Sequence, residues 1–181
     1  MGDELRGENL VHLNVRFSTE TELKKIQDFL YEKSGQGVSF TGLVEAMVNE
    51  VTIVTAVHNI KSNKGSKTAG VDKIKMDKYL QMPKDELILL IQSCFRNYRP
   101  KPARREYIEK SNGKKRPLGI PTVLDRIIQE CVRIIIEPIC EARFYPQSYG
   151  FRPYRAQKHA IRGIINVINA GCKSPDQPVW A

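Results

Sequence analysis

Basic side chains gather in two stretches of the sequence where they could hold phosphate groups. Lysine offers a mobile point charge and arginine a rigid fork that matches phosphate oxygens, so either stretch could contact a nucleic acid or a nucleoside triphosphate. One stretch surrounds the dipeptide Asn112-Gly113, and the other is the lysine-rich segment 61–72. The basic residues of the first are Lys101, Arg104, Arg105, Lys110, Lys114, Lys115 and Arg116, and those of the second are Lys61, Lys64 and Lys67. On charge alone, an exposed hairpin kept soluble by its lysines is the favoured alternative.

The chain has a formal charge of +9, and the basic excess is confined to its later part. Residues 1–50 contain 5 Lys and Arg against 9 Asp and Glu, whereas residues 51–181 contain 24 against 11. A local basic excess favours a polyanionic partner, because each neutralised phosphate releases condensed counterions. Nucleic acid is therefore the leading candidate partner, and a generally solvated basic surface is an equal alternative on charge alone.

Aromatic rings and guanidinium groups alternate in the segment 148–155. Tyr149 and Phe151 could stack on bases, while Arg152 and Arg155 could reach a nucleic-acid backbone. The alternative is that the rings pack into a core and Arg152 makes structural hydrogen bonds, and for the aromatic residues the two interpretations are evenly balanced. His159 stands alone near this segment, and we assign it no catalytic role.

Cysteine spacing and hydropathy limit the metal sites and membrane segments that this chain could contain. Cys94, Cys131, Cys140 and Cys172 form no CxxC pair and lie near no histidine cluster, so we expect reduced, mostly buried thiols and no zinc site. No segment approaches the roughly 18 consecutive apolar residues of a membrane span, and the N-terminus lacks a signal-peptide pattern. We therefore expect a cytoplasmic protein without membrane contacts.

Helical periodicity and turn signals predict an α+β fold that would carry these residues. The first seventeen residues are too short and mixed for an element, and we expect them to form an arm. Asn112-Gly113 is a strong hairpin signal, and Pro117 places the second hairpin strand at an edge or a bulge. Helices are predicted over 19–33, from 41 to 59 or 60, from 83 until shortly before 100, over 123–143 and over 157–170, and strands over 104–109 and 115–120.

Three details of these helices are also predicted. Thr19 and Glu22 should form a capping box at the start of the first helix. Pro138 should kink the long helix or end it early. The last helix should turn one apolar side inward, which consists of Ala160, Ile161, Ile164, Ile165 and Ile168.

Three motifs, in order along the chain, resemble those of group II intron reverse transcriptases. The family's opening fingers motif, usually IPKPNGKxRPLGIPT followed by DRIVQ, is matched at 107–130 by YIEKSNGKKRPLGIPTVLDRIIQE. The next family motif, SYGFRPGRSxHxAI, is matched at 148–161 by SYGFRPYRAQKHAI, and the loop that precedes the fingers is matched at 59–72 by NIKSNKGSKTAGVD. The resemblance covers residues 59 to about 165. It departs from the pattern at Glu109 and Ser111, which replace the prolines that usually flank the lysine.

The resemblance implies roles for individual residues. Lys110, Arg116 and Arg152 would contact the incoming nucleotide, where fixed cations stabilise the charge that develops on a leaving pyrophosphate. Glu109 would weaken phosphate affinity, unless strand alternation turns it away from Lys110. RNA or template would be contacted by Lys61, Asn63, Lys64, Lys67, Arg104, Arg105, Lys114, Lys115, Tyr149, Phe151 and Arg155.

The family architecture implies three regions: N-terminal extension helices and the basic loop at 1–72, fingers with the hairpin and the long helix at 73–145, and the start of the palm at 146–181. The implied function is the template- and nucleotide-binding part of an RNA-directed DNA polymerase that also acts as a maturase. Its partners would be group II intron RNA, an RNA template, a DNA primer and dNTP. The alternatives are a purely RNA-binding splicing module and an unrelated basic RNA-binding domain.

The catalytic centre of that family lies outside the matched motifs. Palm aspartates hold two magnesium ions, one aspartate after a strand of the kind that Val179 and Trp180 begin and two in a YADD-type turn. This sequence contains neither. We therefore expect a fragment truncated before the catalytic strands, with no catalytic residue, no metal ligand and no polymerase activity of its own, whereas its parent would use Mg²⁺ to copy RNA into DNA. An incomplete palm should expose apolar surface, which favours a homodimer.

Overall fold

A computed structural model describes residues 9–170 of the chain. Its helices are α1 (Glu20–Gly35), α2 (Leu43–Met47), α3 (Glu50–Ser62), α4 (Met76–Leu80), α5 (Lys84–Arg96), α6 (Val123–Glu141) and α7 (Gln157–Ala170), and its strands are β1 (Leu10–His12), β2 (Ser39–Thr41), β3 (Arg104–Glu109) and β4 (Lys115–Ile120). The α+β class predicted from the sequence is confirmed. The strand predicted at Val179 and Trp180, and the thiol of Cys172, lie outside the described residues.

The core forms where α6 packs against α1 and α3. Ile127, Cys131 and Ile135 recur every four residues along α6 and are fully buried, as are Leu30 of α1 and Ile53 of α3. Each fully buried aliphatic side chain contributes roughly 1.5–3 kcal/mol relative to an exposed one, so α6 is the element that orders the other helices. Burial also raises the pKa of the Cys131 thiol to about 12, which keeps that thiol protonated at neutral pH.

The capping box predicted at the start of α1 is confirmed. The Glu22 backbone N–H donates to Thr19 Oγ1 at 3.2 Å, and the Thr19 backbone N–H donates to Glu22 Oε2, also at 3.2 Å. Hydrogen bonds from Ser18 lower the pKa of Glu22. The helix continues to Gly35, two residues beyond its predicted end.

The segment before α1 is part of the fold, which corrects the prediction of an arm. Its strand β1 pairs in parallel with β2, with Val11 opposite Phe40. Leu13 and Phe17 follow the strand and are buried in the core. A strand of three residues has too few alternations to be recognised in a sequence, because a parallel ladder depends on a partner that is distant along the chain.

The second predicted helix is wrong in one respect, since two helices, α2 and α3, occupy its residues. Asn49 separates them. Its Oδ1 accepts the Val51 backbone N–H at 2.9 Å, and its Nδ2 donates to the carbonyls of Val15 and Phe17 at 3.2 Å each. The side chain therefore caps α3 and fixes the segment before α1 at the same time. The short helix α4, which buries Met76 and Tyr79, also had no sequence prediction.

The β-hairpin lies at the predicted residues, with β3 and β4 antiparallel. The Lys110 backbone N–H donates to the Lys114 carbonyl at 2.8 Å, and the Gly113 N–H donates to the Lys110 carbonyl at 3.0 Å. Gly113 has φ +73°, a left-handed conformation that glycine adopts without steric cost. The tight turn therefore explains why Asn112-Gly113 is a reliable signal at this position.

The long helix α6 passes through Pro138 and ends at Glu141, two residues before its predicted end. Proline has no N–H, so the carbonyl of Ile134 loses its normal helical partner. Gln27 of α1 replaces that partner, because its Nε2 donates to the Ile134 carbonyl at 3.0 Å. The proline therefore creates an attachment point for α1.

The bounds of α7 match the prediction, but the orientation predicted for its isoleucines is wrong. Ile161, Ile164, Ile165 and Ile168 are all exposed, with Ile168 reaching 71%. Within the described part of the chain, the elements that precede α7 leave this apolar side uncovered. Periodicity identifies an apolar side but cannot identify the surface that covers it.

Three thiols, those of Cys94, Cys131 and Cys140, are free as predicted, although only Cys131 is buried. No helix within residues 9–170 combines the length and the apolar character that crossing a membrane requires. The predicted regional boundaries at residues 72 and 145 stay predictions.

Candidate nucleic-acid interface

The hairpin register determines which side chains share a face. Ile108 lies opposite Arg116, and Glu109 lies opposite Lys115. Lys110 follows Ile108 by two residues, so strand alternation places Lys110 and Arg116 on one face and Glu109 on the other. The two residues predicted to contact a nucleotide therefore share one face of the ribbon, and the acid that departs from the family pattern lies on the opposite face. Their role in nucleotide binding stays a prediction.

The other basic residues of the hairpin differ in how they are engaged. Arg104 Nη1 lies 3.0 Å from Glu106 Oε1, and Arg104 Nε is buried without a hydrogen-bond partner. Arg105, Lys114 and Lys115 are exposed and form no ion pair within the described range. Their charges are therefore open to solvent or to a ligand, whereas that of Arg104 is partly used by the protein itself.

The hairpin projects into solvent. Tyr107, Ile108 and Leu118 are exposed, although they belong to both faces of the ribbon, and Ile120 at the end of β4 is half-buried. A two-stranded ribbon with neither face buried is marginally stable by itself. A ribbon of this kind can lie along an extended ligand without first displacing another element.

The basic loop, residues 61–72, offers a second set of cations. Lys61, Asn63, Lys64 and Lys67 are exposed, and none of the three lysines forms an ion pair with another described residue. Two turns shape the loop: the Ser66 N–H donates to the Asn63 carbonyl at 2.9 Å, and the Thr68 N–H donates to the Gly65 carbonyl at 3.0 Å. The predicted RNA-contacting residues of the loop therefore lie on the surface of the protein.

Arg126 of α6 holds the basic loop in place, a role that the sequence did not reveal. Its Nη1 donates to the Gly65 carbonyl at 2.8 Å, and its Nη2 donates to the Thr68 carbonyl. Desolvation by burial lowers the pKa of this guanidinium group, and the nearby Asp72 carboxylate opposes that effect. Further along the loop, a Cβ on Gly70 would lie 2.7 Å from Thr122 Cα, so only glycine allows this close backbone approach.

Asp125, in the first turn of α6, lies at the base of the hairpin and is 5% exposed. Its Oδ2 accepts the Thr122 hydroxyl at 2.6 Å, and its Oδ1 accepts the Tyr98 hydroxyl at 3.0 Å. Desolvation, followed by this hydrogen bond to Asp125, raises the pKa of Tyr98 to about 12. An acid three residues after a threonine at a helix start is a local capping signal, so this aspartate could have been singled out from the sequence.

Arg152, for which the sequence predicts a nucleotide contact, makes hydrogen bonds within the protein. Its side chain is 7% exposed and forms an ion pair with Glu141, with Nη2 2.9 Å from Oε2. Nη1 donates to the carbonyls of Tyr145 and Ser148 at 3.0 Å each, and Nε donates to the same carboxylate. Because its guanidinium donors are used in this way, the geometry favours the structural alternative for this residue, and the nucleotide contact stays a prediction.

The remaining residues predicted in 148–155 divide in a similar way. Arg155 donates from Nη1 to the Pro146 carbonyl, and its guanidinium carbon lies 5.3 Å from the centre of the Tyr149 ring. Both residues are therefore engaged within the segment. Phe151 is fully exposed and has φ +58°, a strained conformation for a residue other than glycine. Among the rings predicted to meet RNA, Phe151 is thus accessible and Tyr149 is partly covered.

Among residues 9–170, no three His, Cys, Asp or Glu side chains are grouped in a way that could hold a metal ion. The candidate interface is built from cations, amide groups and rings.

Relatives of this chain occur among intron-encoded proteins. It is 42% identical over 127 residues to group II intron-encoded protein LtrA of Lactococcus lactis, an alignment that covers 69% of this chain and 21% of that protein. It is 46% identical over 110 residues to Protein YkfC of Escherichia coli, covering 57% of this chain and 27% of that protein. It is 31% identical over 116 residues to Nuclear intron maturase 1, mitochondrial, of Arabidopsis thaliana, covering 64% and 14%. No protein-family model matches the chain. The chain thus spans about a quarter or less of the length of these relatives.

Proposed function

We propose that this chain, which is a relative of group II intron-encoded proteins and intron maturases, is the part of an RNA-directed DNA polymerase that holds template RNA and the incoming nucleotide. The observation that carries the proposal is the hairpin register, which places Lys110 and Arg116 on one exposed face. Two cations on one face can stabilise both the phosphates of a bound nucleotide and the charge that develops on a departing pyrophosphate.

The basic loop supplies the RNA contacts in this proposal. Lys61, Lys64 and Lys67 carry charges that are free of ion pairs among the described residues, and Arg126 fixes the backbone that bears them. Such lysines contact phosphates irrespective of sequence. Arg105 and Lys115, which share the hairpin face of Glu109, extend the same kind of contact along the ribbon.

Polymerisation is assigned to a longer protein and not to this chain. It would use Mg²⁺ held by aspartates, and the sequence contains no YADD. Primer extension on an RNA template with magnesium should therefore yield no product with the 181-residue chain. An extended primer would contradict this part of the proposal.

Equilibrium binding to single-stranded RNA tests the role of the basic loop. Replacing Lys61, Lys64 and Lys67 together with Gln should lower affinity and should reduce the slope of log K against log salt by about 0.7 for each phosphate that is no longer neutralised. The matched control replaces Lys24, Lys25 and Lys33 of α1, which removes the same charge elsewhere and should change binding far less. Equal losses of affinity in the two triple variants would mean that binding follows net charge and not this surface.

Labelling with a photoreactive dNTP tests the hairpin. Lys110→Gln combined with Arg116→Gln should abolish labelling of peptides from 104–120, whereas Lys24→Gln combined with Lys25→Gln should leave it intact. Labelling that survives the hairpin double variant would exclude these two cations as the nucleotide-binding pair.

A second candidate function is RNA binding for splicing, which the relation to an intron maturase favours. The same lysines of the basic loop would then hold intron RNA. Loss of intron RNA binding in the loop triple variant, with nucleotide labelling of the hairpin unchanged, would assign that surface to splicing. Parallel loss of binding to intron RNA and to unrelated template RNA would favour the polymerase role.

A further inference from the structure

Two separate basic surfaces are attached to one turn of helix at the start of α6. The hairpin enters this turn directly, because β4 ends at Ile120 and Thr122 is the N-cap of α6. The basic loop is attached to the same turn by the two hydrogen bonds that Arg126 donates to loop carbonyls. The Gly70 backbone also packs directly against Thr122. The first turn of α6 is therefore the point at which the loop and the hairpin meet.

The other end of the hairpin is fixed to the same turn by a side-chain hydrogen bond. Tyr98 lies six residues before β3, and its hydroxyl donates to Asp125 Oδ1 at 3.0 Å. This bond closes the segment 98–125, which contains the whole ribbon, at the first turn of α6. Lys101 precedes β3, and its Nζ lies 3.6 Å from Oδ2 of Asp72 in the basic loop. This ion pair is a second contact between the two surfaces.

The Asp125 carboxylate is oriented towards Tyr98 by its hydrogen bonds with Thr122. Thr122 donates its hydroxyl to one carboxylate oxygen at 2.6 Å, and the Asp125 backbone N–H donates to the same hydroxyl at 3.1 Å. The carboxylate is therefore held in one orientation, with its second oxygen directed to Tyr98. A buried acceptor with both oxygens engaged makes the loss of either donor costly.

We propose that Tyr98 and Asp125 are positioning residues that hold the hairpin and the basic loop together as one RNA-binding surface. The inference rests on the proposed function, because it assumes that both surfaces contact RNA. An RNA strand that contacts both surfaces binds more tightly than one that contacts a single surface, because the second contact requires no further ordering of the protein. If the ribbon moved relative to the basic loop, this increase in affinity would be lost, although each surface would keep its own cations.

The test compares short and long RNA on the intact chain. An oligonucleotide of about 4 nucleotides fits one surface, whereas one of about 20 nucleotides can reach both. The variant Tyr98→Phe removes only the hydroxyl. We expect it to bind the short RNA as the unchanged protein does, while the affinity ratio of long to short RNA falls by about fivefold or more, the equivalent of one phosphate contact at about 0.1 M salt.

The matched control is Tyr31→Phe, which removes a hydroxyl from an exposed tyrosine on α1. It should leave the ratio unchanged. Asp125→Asn keeps the shape of the side chain and should lower the ratio in the same direction as Tyr98→Phe. Thermal unfolding of each variant identifies any that fails to fold. Amide exchange of Ser66 and Thr68, whose N–H groups form the two turns of the loop, measures whether the loop stays ordered in Tyr98→Phe without RNA.

Each outcome decides between the two claims. If the unchanged chain binds neither RNA, the proposed function fails and this inference fails with it. If the chain prefers long RNA and Tyr98→Phe keeps that preference in full, the function stands and the positioning role is overturned. A lower melting temperature with an unchanged ratio would assign Tyr98 to stability alone, which also overturns the inference.

Discussion

Replacement of Arg152 with Gln should destabilise the protein strongly while leaving nucleotide contact intact. The Arg152 side chain is 7% exposed and that of its partner Glu141 is 17% exposed, so the change leaves a largely buried carboxylate without its counter-charge. It also removes the donors to the carbonyls of Tyr145 and Ser148. Breaking a buried pair from one side costs about 3 kcal/mol at the lower end of its usual range. A change of that size lowers Tm by about 6–12 °C in a chain of this length.

Thermal unfolding followed by circular dichroism measures the effect. The control Arg162→Gln removes an exposed arginine from α7 and should shift Tm by little. Replacing Arg152 and Glu141 together with Met should recover much of the stability, because no unpaired charge then remains. The structural assignment would be refuted if Arg152→Gln melted like the unchanged protein and at the same time abolished photoreactive dNTP labelling.

Three further predictions concern the loop, the response to pH and self-association. Gly70→Ala should lower the free energy of unfolding by about 1–3 kcal/mol, measured by urea titration, because its Cβ would lie 2.7 Å from Thr122 Cα, and an unchanged midpoint would contradict this packing. Burial opposes ionisation of Glu130, but hydrogen bonds from Arg133 and Asn59 outweigh it and lower the pKa. The ionised Glu130 carboxylate should therefore contribute its full share to the free energy of unfolding above pH 4.5, and this contribution should decline as pH falls further. Glu130→Gln should make the decline of Tm in acid less steep. Ile164→Lys should weaken self-association through the exposed side of α7 in sedimentation experiments, and a monomer at all concentrations before the change would refute that association.

Elements with local signals were predictable from the sequence. The hairpin bounds follow from Asn112-Gly113, whose left-handed glycine determines the turn, and the start of α1 follows from Thr19 and Glu22. The family motifs also placed the basic loop and the hairpin in order, and the relation to intron-encoded proteins is confirmed.

Features that depend on distant partners, or on hydrogen bonds to backbone carbonyls, were not predictable. Asn49 divides the second predicted helix because it reaches the carbonyls of Val15 and Phe17, more than 30 residues away. The part that Arg152 plays depends on backbone carbonyls exposed by a turn, and these carry no residue-specific signal. The same is true of Arg126, which binds carbonyls of the basic loop. Many of the features that the motifs did not predict are therefore hydrogen bonds from polar side chains to backbone groups.

The most direct test of the central claim is to map where RNA touches the chain. A single-stranded RNA that carries photoreactive uridines should crosslink to peptides from the basic loop, 61–72, and from the hairpin, 104–120. We predict that both peptides are labelled and that the label falls together on both as salt is raised, since the contacts are to phosphates. Crosslinks confined to α1 or α5, with the loop and the hairpin unlabelled, would contradict the account.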